Sequence, residues 1–180
     1  GSKKCFLMYH EELESLVQNL KGLRRARFWM TFSENYLNHL KVLGNVGMTR
    51  IDPVNFQGQD IVPIQFLAKL LPDPASLGPL TKGKTCIGDL VKGTQNGQPG
   101  EVFIYNVADH KDAYNEVGSQ GISYTAGVPP VAAAILVARG TWDVKRMANV
   151  EDLPARPFLE LLGDLGLPTR VIDATGDHPI

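Results

Sequence analysis

Apolar residues recur along the first third of the chain with the two periods of regular structure. Residues 4–9 read as a strand, and Leu13, Leu16, Val17 and Leu20 follow at i, i+3, i+4 and i+7. That is the stripe of an amphipathic helix, and Gly22 closes it. Residues 27–32 alternate as a second strand. Ser33 then offers a cap to a helix whose buried face would be Tyr36, Leu37, Leu40 and Leu43, ending at Gly44 or Gly47. Residues 50–62 read as a short hairpin turning near Gln57-Gly58. Pro63 suits the first position of a third helix, with Phe66, Leu67, Leu70 and Leu71 on one face and Pro72 as its stop.

The second part has a different texture. Residues 85–92 and 101–107 predict two strands, joined by GTQNGQPG, a turn rich in residues that tolerate positive φ. From Val102 the chain runs VFIYNVADHKDAYNEVGSQGISYTAGVPPVAAA: an apolar strand, a polar turn around Asp109 and His110, a short helix, then Ser123-Tyr124-Thr125. Residues 128–139 predict a helix that is apolar on nearly every side and therefore buried between layers. Pro129 and Pro130 are expected in its first turn, where N–H groups lack intrahelical partners. A helix at about 157–165 and a strand at 169–173 complete the chain. Strands and helices mix without regular βαβ alternation, which predicts an α+β fold with a mainly antiparallel sheet covered by helices.

Composition narrows the function classes. With 180 residues, 43% apolar and 21% charged, the chain suits one domain or a large part of one and can bury a core. A net charge of −1 gives no electrostatic case for nucleic acid or an anionic membrane. The basic cluster at 21–27 reads as a solvated loop. No apolar run reaches the ~20 residues of a membrane span. Gly1-Ser2 reads as a cloning scar, and no secretory signal follows it. Two cysteines do not make a disulfide framework, so a reducing compartment, the cytoplasm, is expected.

The usual signatures of bound nucleotides and metals are missing. There is no GxGxxG, no GxxxxGK[ST], no GxSxG, no CxxC and no HExxH, so neither a dinucleotide loop nor a metal site is expected. Cys86 sits in an alternating strand and reads as a buried, inert thiol. His10-Glu11-Glu12 closes the first strand, either as a polar edge with helix-start carboxylates or as a histidine facing a cleft. Asn106, Asp109 and His110 follow a strand and open a helix. Gln120, Ser123, Tyr124 and Thr125 precede the apolar one. Both groups read equally as helix caps and as hydrogen-bonding residues ahead of two helix N-termini, suited to a carboxylate-bearing ligand.

Several longer runs carry a resemblance: Tyr9-His10-Glu11-Glu12, Phe28-Trp29-Met30, Asn35-Tyr36-Leu37-Asn38, LLPDPASL, KTCIGDLVKG, VFIYNVADHKDAY, ISYTAGVPP and RPFLELLGDLGL. In these the chain resembles the C-terminal part of the saccharopine dehydrogenase family, in its carboxynorspermidine branch. The resemblance implies an NADPH-dependent reductase of an imine formed between L-aspartate β-semialdehyde and 1,3-diaminopropane or putrescine. The product would be carboxynorspermidine or carboxyspermidine, in polyamine biosynthesis. A saccharopine dehydrogenase-type oxidoreductase of lysine metabolism is the nearest alternative within the family.

On this reading residues 3–180 are a C-terminal catalytic and dimerisation domain fragment, without the N-terminal NADP-binding domain and inactive alone. A homodimer through the sheet is expected. His10 and His110 are the candidate catalytic proton donors. Ser123 and Thr125, with nearby backbone N–H groups, would hold the substrate carboxylate, and Glu11 or Asp109 the cationic amine. Asn106, Gln120 and Tyr124 complete the expected substrate-binding set. Two other classes stay open: a purely structural dimerisation module, and a hydrolase using Cys86 with a histidine.

Overall fold

A computed structural model describes residues 3–180 of the chain, so Gly1-Ser2 lies outside the described residues. The chain divides into two units, one ending at Asp73 and the other running from Pro74 to Ile180.

In the first unit β1 (Cys5–Met8) and β2 (Phe28–Thr31) pair antiparallel, with α1 (Glu12–Asn19) between them in the chain. The helix α2 (Glu34–Asn45) starts where Ser33 Oγ accepts the Tyr36 N–H at 3.1 Å, the cap that its sequence predicts. The hairpin β3 (Val54–Phe56) and β4 (Gln59–Ile61) turns on Gln57 and Gly58. Both turn residues have positive φ, 53° and 81°, as a two-residue hairpin requires. Pro63 opens α3 (Pro63–Leu70).

The elements of this unit match their patterns, but its expected core does not form. None of its described residues is fully buried. On the predicted inner face of α2, Tyr36 and Leu40 are half exposed, and Trp29, Phe56 and Phe66 are similarly open. Two separate two-stranded ribbons and three short helices are too few to cover one another's apolar sides.

The second unit carries the core. β5 (Lys84–Gln95), β6 (Gln98–Asp109), β7 (Thr169–Asp173) and β8 (Gly176–Pro179) form one sheet in that order, every pair antiparallel. The β5–β6 hairpin is longer than its hydrophobic pattern, because the turn contracts to Asn96-Gly97, both at positive φ. Between β6 and β7 run α4 (His110–Val117), α5 (Gly121–Ala138) and α6 (Ala155–Asp164). The fold is therefore α+β with antiparallel sheets and helices, as the pattern predicts.

Ala132 and Leu136 of α5 pack with Leu161 and Leu162 of α6 and with Trp142, whose indole N–H donates to the Pro154 carbonyl at 3.0 Å. A second buried group joins Ala108 of β6, Ala113 of α4, Tyr124 of α5 and Leu167. One face of the sheet meets these helices. The other, carrying Leu90, Val107 and Ile172, is exposed.

The helix α5 departs from expectation in two ways. It begins at Gly121, not at residue 128, so Pro129 and Pro130 lie in its interior. Proline has no N–H, so the carbonyls of Thr125 and Ala126 lack their i+4 donors. The extra turns are held by tertiary packing, since Tyr124 and Thr125 are buried on the same face as Ala132 and Leu136. Nor is the helix buried all round, because Ile122, Val131 and Val137 are about half exposed. By length and composition alone its 18 residues could cross a membrane. Here Ala132 and Leu136 place it in the core with α6.

Candidate functional site

The polar residues singled out in the sequence fall on both units. In the first, His10 lies two residues past β1 with its ring against Phe28, centroids 4.4 Å apart. Its Nδ1 is shielded from solvent and has no hydrogen-bond partner, although Glu12 Oε2 lies 3.4 Å away. The separation is within ion-pair reach of a protonated ring, and the two atoms make no hydrogen bond. Glu11 is exposed and precedes α1 with its carboxylate 3.8 Å from the same nitrogen. The phenol of Tyr9, hydrogen-bonded to Glu14 nearby, is held above its ordinary pKa chiefly by that carboxylate.

In the second unit the end of β6 delivers three candidates to the start of α4. Asn106 Nδ2 donates to the carbonyls of Leu167 and Pro168 and to Thr169 Oγ1, at 3.0–3.1 Å, fastening the turn into β7. Asp109 is the N-cap of α4. Its Oδ1 accepts the N–H groups of Lys111 at 2.9 Å and Asp112 at 3.3 Å, and those bonds hold its carboxyl below the usual range. His110 is buried, and its Nδ1 accepts the Gly121 N–H at 3.1 Å. Nδ1 is therefore the unprotonated ring nitrogen, and the proton sits on Nε2. A Cβ on Gly121 would lie 3.2 Å from that same Nδ1 and from the Ala108 carbonyl, so any larger residue there crowds the bond.

The group at the start of α5 is arranged differently from its sequence reading. Gln120 takes the N-cap position without a side-chain cap bond. Ser123, Tyr124 and Thr125 lie within the helix, so they cannot cap it from outside. Thr125 Oγ1 donates back to the Ile122 carbonyl at 3.0 Å, and Ser123 is exposed. Tyr124 is buried with its hydroxyl 3.0 Å from the Leu165 carbonyl and 3.1 and 3.2 Å from the two Glu116 oxygens. Burial first, then Glu116, pushes its phenol above the ordinary value. Gly166 makes room for this: its Cβ would stand 2.6 Å from the Tyr124 hydroxyl.

Cys86 is exposed rather than buried, a correction to the strand reading, because its face of β5 is uncovered. Its surroundings still remove enough water to push the thiol above its ordinary value. A thiol in that state is a poor nucleophile, which removes the support for a cysteine hydrolase.

Two polar features have no local sequence signal. Glu116 reaches Tyr124 only because α4 turns back at Gly118 (φ 68°) into α5. Arg170 of β7 binds Asp177 of β8 at 2.9–3.0 Å, and Tyr105 on the neighbouring strand donates to Asp177 at 2.9 Å. Among the described residues no group of three or more His, Cys, Asp or Glu is placed to hold a metal ion. Every paired strand is antiparallel, so the described residues contain no parallel βαβ cradle and do not fit a nicotinamide dinucleotide.

Comparison with known proteins fits this architecture. Residues 1–167 match the saccharopine dehydrogenase C-terminal domain. The carboxyaminopropylagmatine dehydrogenase of Synechocystis sp. is 54% identical over 168 residues, which is 93% of this chain and 42% of that protein. The carboxynorspermidine synthases of Vibrio alginolyticus and Vibrio cholerae are each 41% identical, over 100% and 99% of the chain and 44% and 43% of theirs. The chain spans less than half the length of these curated relatives. It belongs to the saccharopine dehydrogenase C-terminal domain family.

Proposed function

We propose that this chain is the substrate-binding and dimerisation part of a longer reductase that joins L-aspartate β-semialdehyde to an amine. The single observation that carries the reading is likeness along essentially the whole chain to relatives named for two carboxylated polyamines. NADPH would supply the hydride. No residue described here is assigned to hold it, so it belongs to a part of the longer protein outside this chain.

The chain's own residues have narrower tasks. His10, with a shielded and unpartnered Nδ1, is the proton donor or acceptor for imine formation and reduction. Glu11, exposed beside it, attracts the amine. Gln120 and Ser123, whose side chains are not used for capping, bind the substrate carboxylate. Asn106, Asp109, His110, Tyr124 and Thr125 hold the frame through the bonds described above, and His110 keeps an Nε2 proton to donate. The uncovered sheet face around Leu90, Phe103 and Ile172 is the homodimer surface, and the cytoplasm the compartment.

A second reading of the amine follows from the identities, 54% against 41%. They favour agmatine, with its guanidinium end, over 1,3-diaminopropane or putrescine. Substitution in the longer protein tests each assignment by itself. His10→Ala is expected to lower kcat at least about a hundredfold, in line with loss of general acid–base catalysis. Ser123→Ala is expected to raise KM for the aldehyde while sparing kcat. Unchanged kinetics in both variants would remove both assignments and favour a purely structural dimerisation module.

A further inference from the structure

The prolines inside α5 stand at the boundary between two buried groups. Upstream of them, Gly121 is tied to His110, and Tyr124 packs with Ala108, Ala113 and Leu167. Downstream, Ala132 and Leu136 pack with Leu161, Leu162 and Trp142, and the Trp142 backbone N–H donates to the Leu136 carbonyl at 3.1 Å. Val128, just ahead of Pro129, packs against both groups. The chain crosses between the groups a second time after α6, where a Cβ on Gly163 would meet nothing within 4 Å and Gly166 takes a φ of 82°. The Tyr124 hydroxyl, 3.0 Å from the Leu165 carbonyl, ties this second crossing to α5. A groove of about 380 Å³ opens where the two crossings meet. Glu116, Ser119 and Ser123 line it from the side of the first group, Val131 from the second, and Val128 and Leu165 from the crossings themselves.

We propose that residues 127–130 are a hinge, about which the downstream half of α5 swings together with α6 against β6 and α4. A helix resists bending through its i→i−4 bonds, and at the carbonyls of Thr125 and Ala126 those bonds cannot form. Bending there sacrifices no hydrogen bond at either carbonyl, and proline is a usual site of helix kinks. Gly127 leaves room for the movement, since a Cβ there would meet nothing within 4 Å. On each side the chain is held by its own core, so the change of angle falls on the joint. Among the described core residues Val128 alone packs with both groups, so the swing repacks one side chain. The movement widens and narrows the groove beside Ser123. Its use as a gate for substrate rests on the role proposed for Ser123, and the bending itself does not.

The test uses the 180-residue chain with Cys5→Ser and Cys86→Ser at its two exposed thiols. Spin labels are placed at Asn115→Cys in α4 and Arg139→Cys at the end of α5, both exposed positions. Pulsed electron spin resonance is expected to give two distances or one broad distribution. Pro129→Ala with Pro130→Ala restores both N–H donors and is expected to narrow the distribution to a single distance. Amide exchange of the unlabelled chain gives a second reading. Protection at Ala132 and Ala133, in the turn after the hinge, is expected to rise at least about tenfold in the double variant, the weight of two ordinary backbone hydrogen bonds. Leu161 and Leu162 of α6 should stay unchanged. A single narrow distance in the parent, a distribution that the double variant leaves alone, or protection rising equally in α6 would overturn the hinge. Enzyme kinetics are a separate matter. A rigid joint removes the hinge and leaves the Ser123→Ala result standing, whereas a silent Ser123→Ala removes the substrate role and leaves the joint.

Discussion

His110 Nδ1 accepts the backbone N–H of Gly121 at 3.1 Å inside the second unit. A residue with the chemistry of a proton donor thus also sets where the longest helix starts. Replacing His110 with Ala leaves the Gly121 N–H buried and unpaired. The expected loss is about 1–3 kcal/mol of stability, read as a lower denaturant midpoint with an unchanged slope. Gly121→Ala, which crowds the same bond from the other side, is expected to lower the midpoint too. A His110→Ala chain as stable as the parent would mean the bond carries no structural weight.

Asp109 caps α4 through one oxygen. Asp109→Ala is expected to lower the melting temperature, and Asp109→Asn far less, because the amide oxygen can accept the same N–H groups. Thermal melting of the two variants gives the comparison. Its carboxyl is held below the usual range in the fold. Its contribution is therefore complete above the unfolded carboxylate's pKa and fades as pH falls through the lowered one.

The β7–β8 hairpin has an opposed pair of titrations. His178 is held above its ordinary 6.5 by the Pro179 carbonyl and then by Asp173. Asp173 is held below its ordinary 3.8 by the Thr175 hydroxyl and N–H and then by His178. A raised histidine contributes fully below 6.5 and loses that contribution as pH rises through its folded value. A lowered aspartate contributes fully above 3.8 and loses it as pH falls. Amide protection factors at Asp173–Asp177, taken relative to the intrinsic exchange rate at each pH, should therefore be highest between those two values, and His178→Gln should remove the loss on the alkaline side. A flat profile in the parent would contradict the pairing.

The open face of the main sheet predicts self-association. Light scattering with size exclusion should give a dimer, and Leu90→Lys together with Ile172→Lys, two half-exposed positions on that face, a monomer. A monomeric parent at high concentration would refute the sheet interface.

Much of this fold was legible because it is local. The Ser33 cap, the Gln57-Gly58 turn and strand Thr169–Asp173 each follow from a few adjacent residues. What the pattern hid depends on distant contacts. Interior proline disfavours a helix by about 3 kcal/mol, so the local pattern predicts a start at residue 128. Packing of Tyr124 against Leu167 and Ala113 outweighs it. The stripes of α1 and α2 lie on helical faces, but the buried face expected of α2 is uncovered, because nothing local supplies the layer that would cover it. Of the candidate residues, the sequence located Asn106, Asp109 and His110 at one strand–helix junction. It could not show which of their polar atoms the frame already uses. Glu116 carries no local signal because its partner Tyr124 is reached only through the α4–α5 turn.

The central claim is the reaction, and it is tested most directly by NADPH oxidation in the longer protein supplied with L-aspartate β-semialdehyde. Agmatine, putrescine and 1,3-diaminopropane are compared as the amine, with product mass as the readout. The account predicts amine-dependent oxidation, fastest with agmatine, and a product heavier than the amine by the reduced aldehyde unit. No amine-dependent oxidation with any of the three would contradict it.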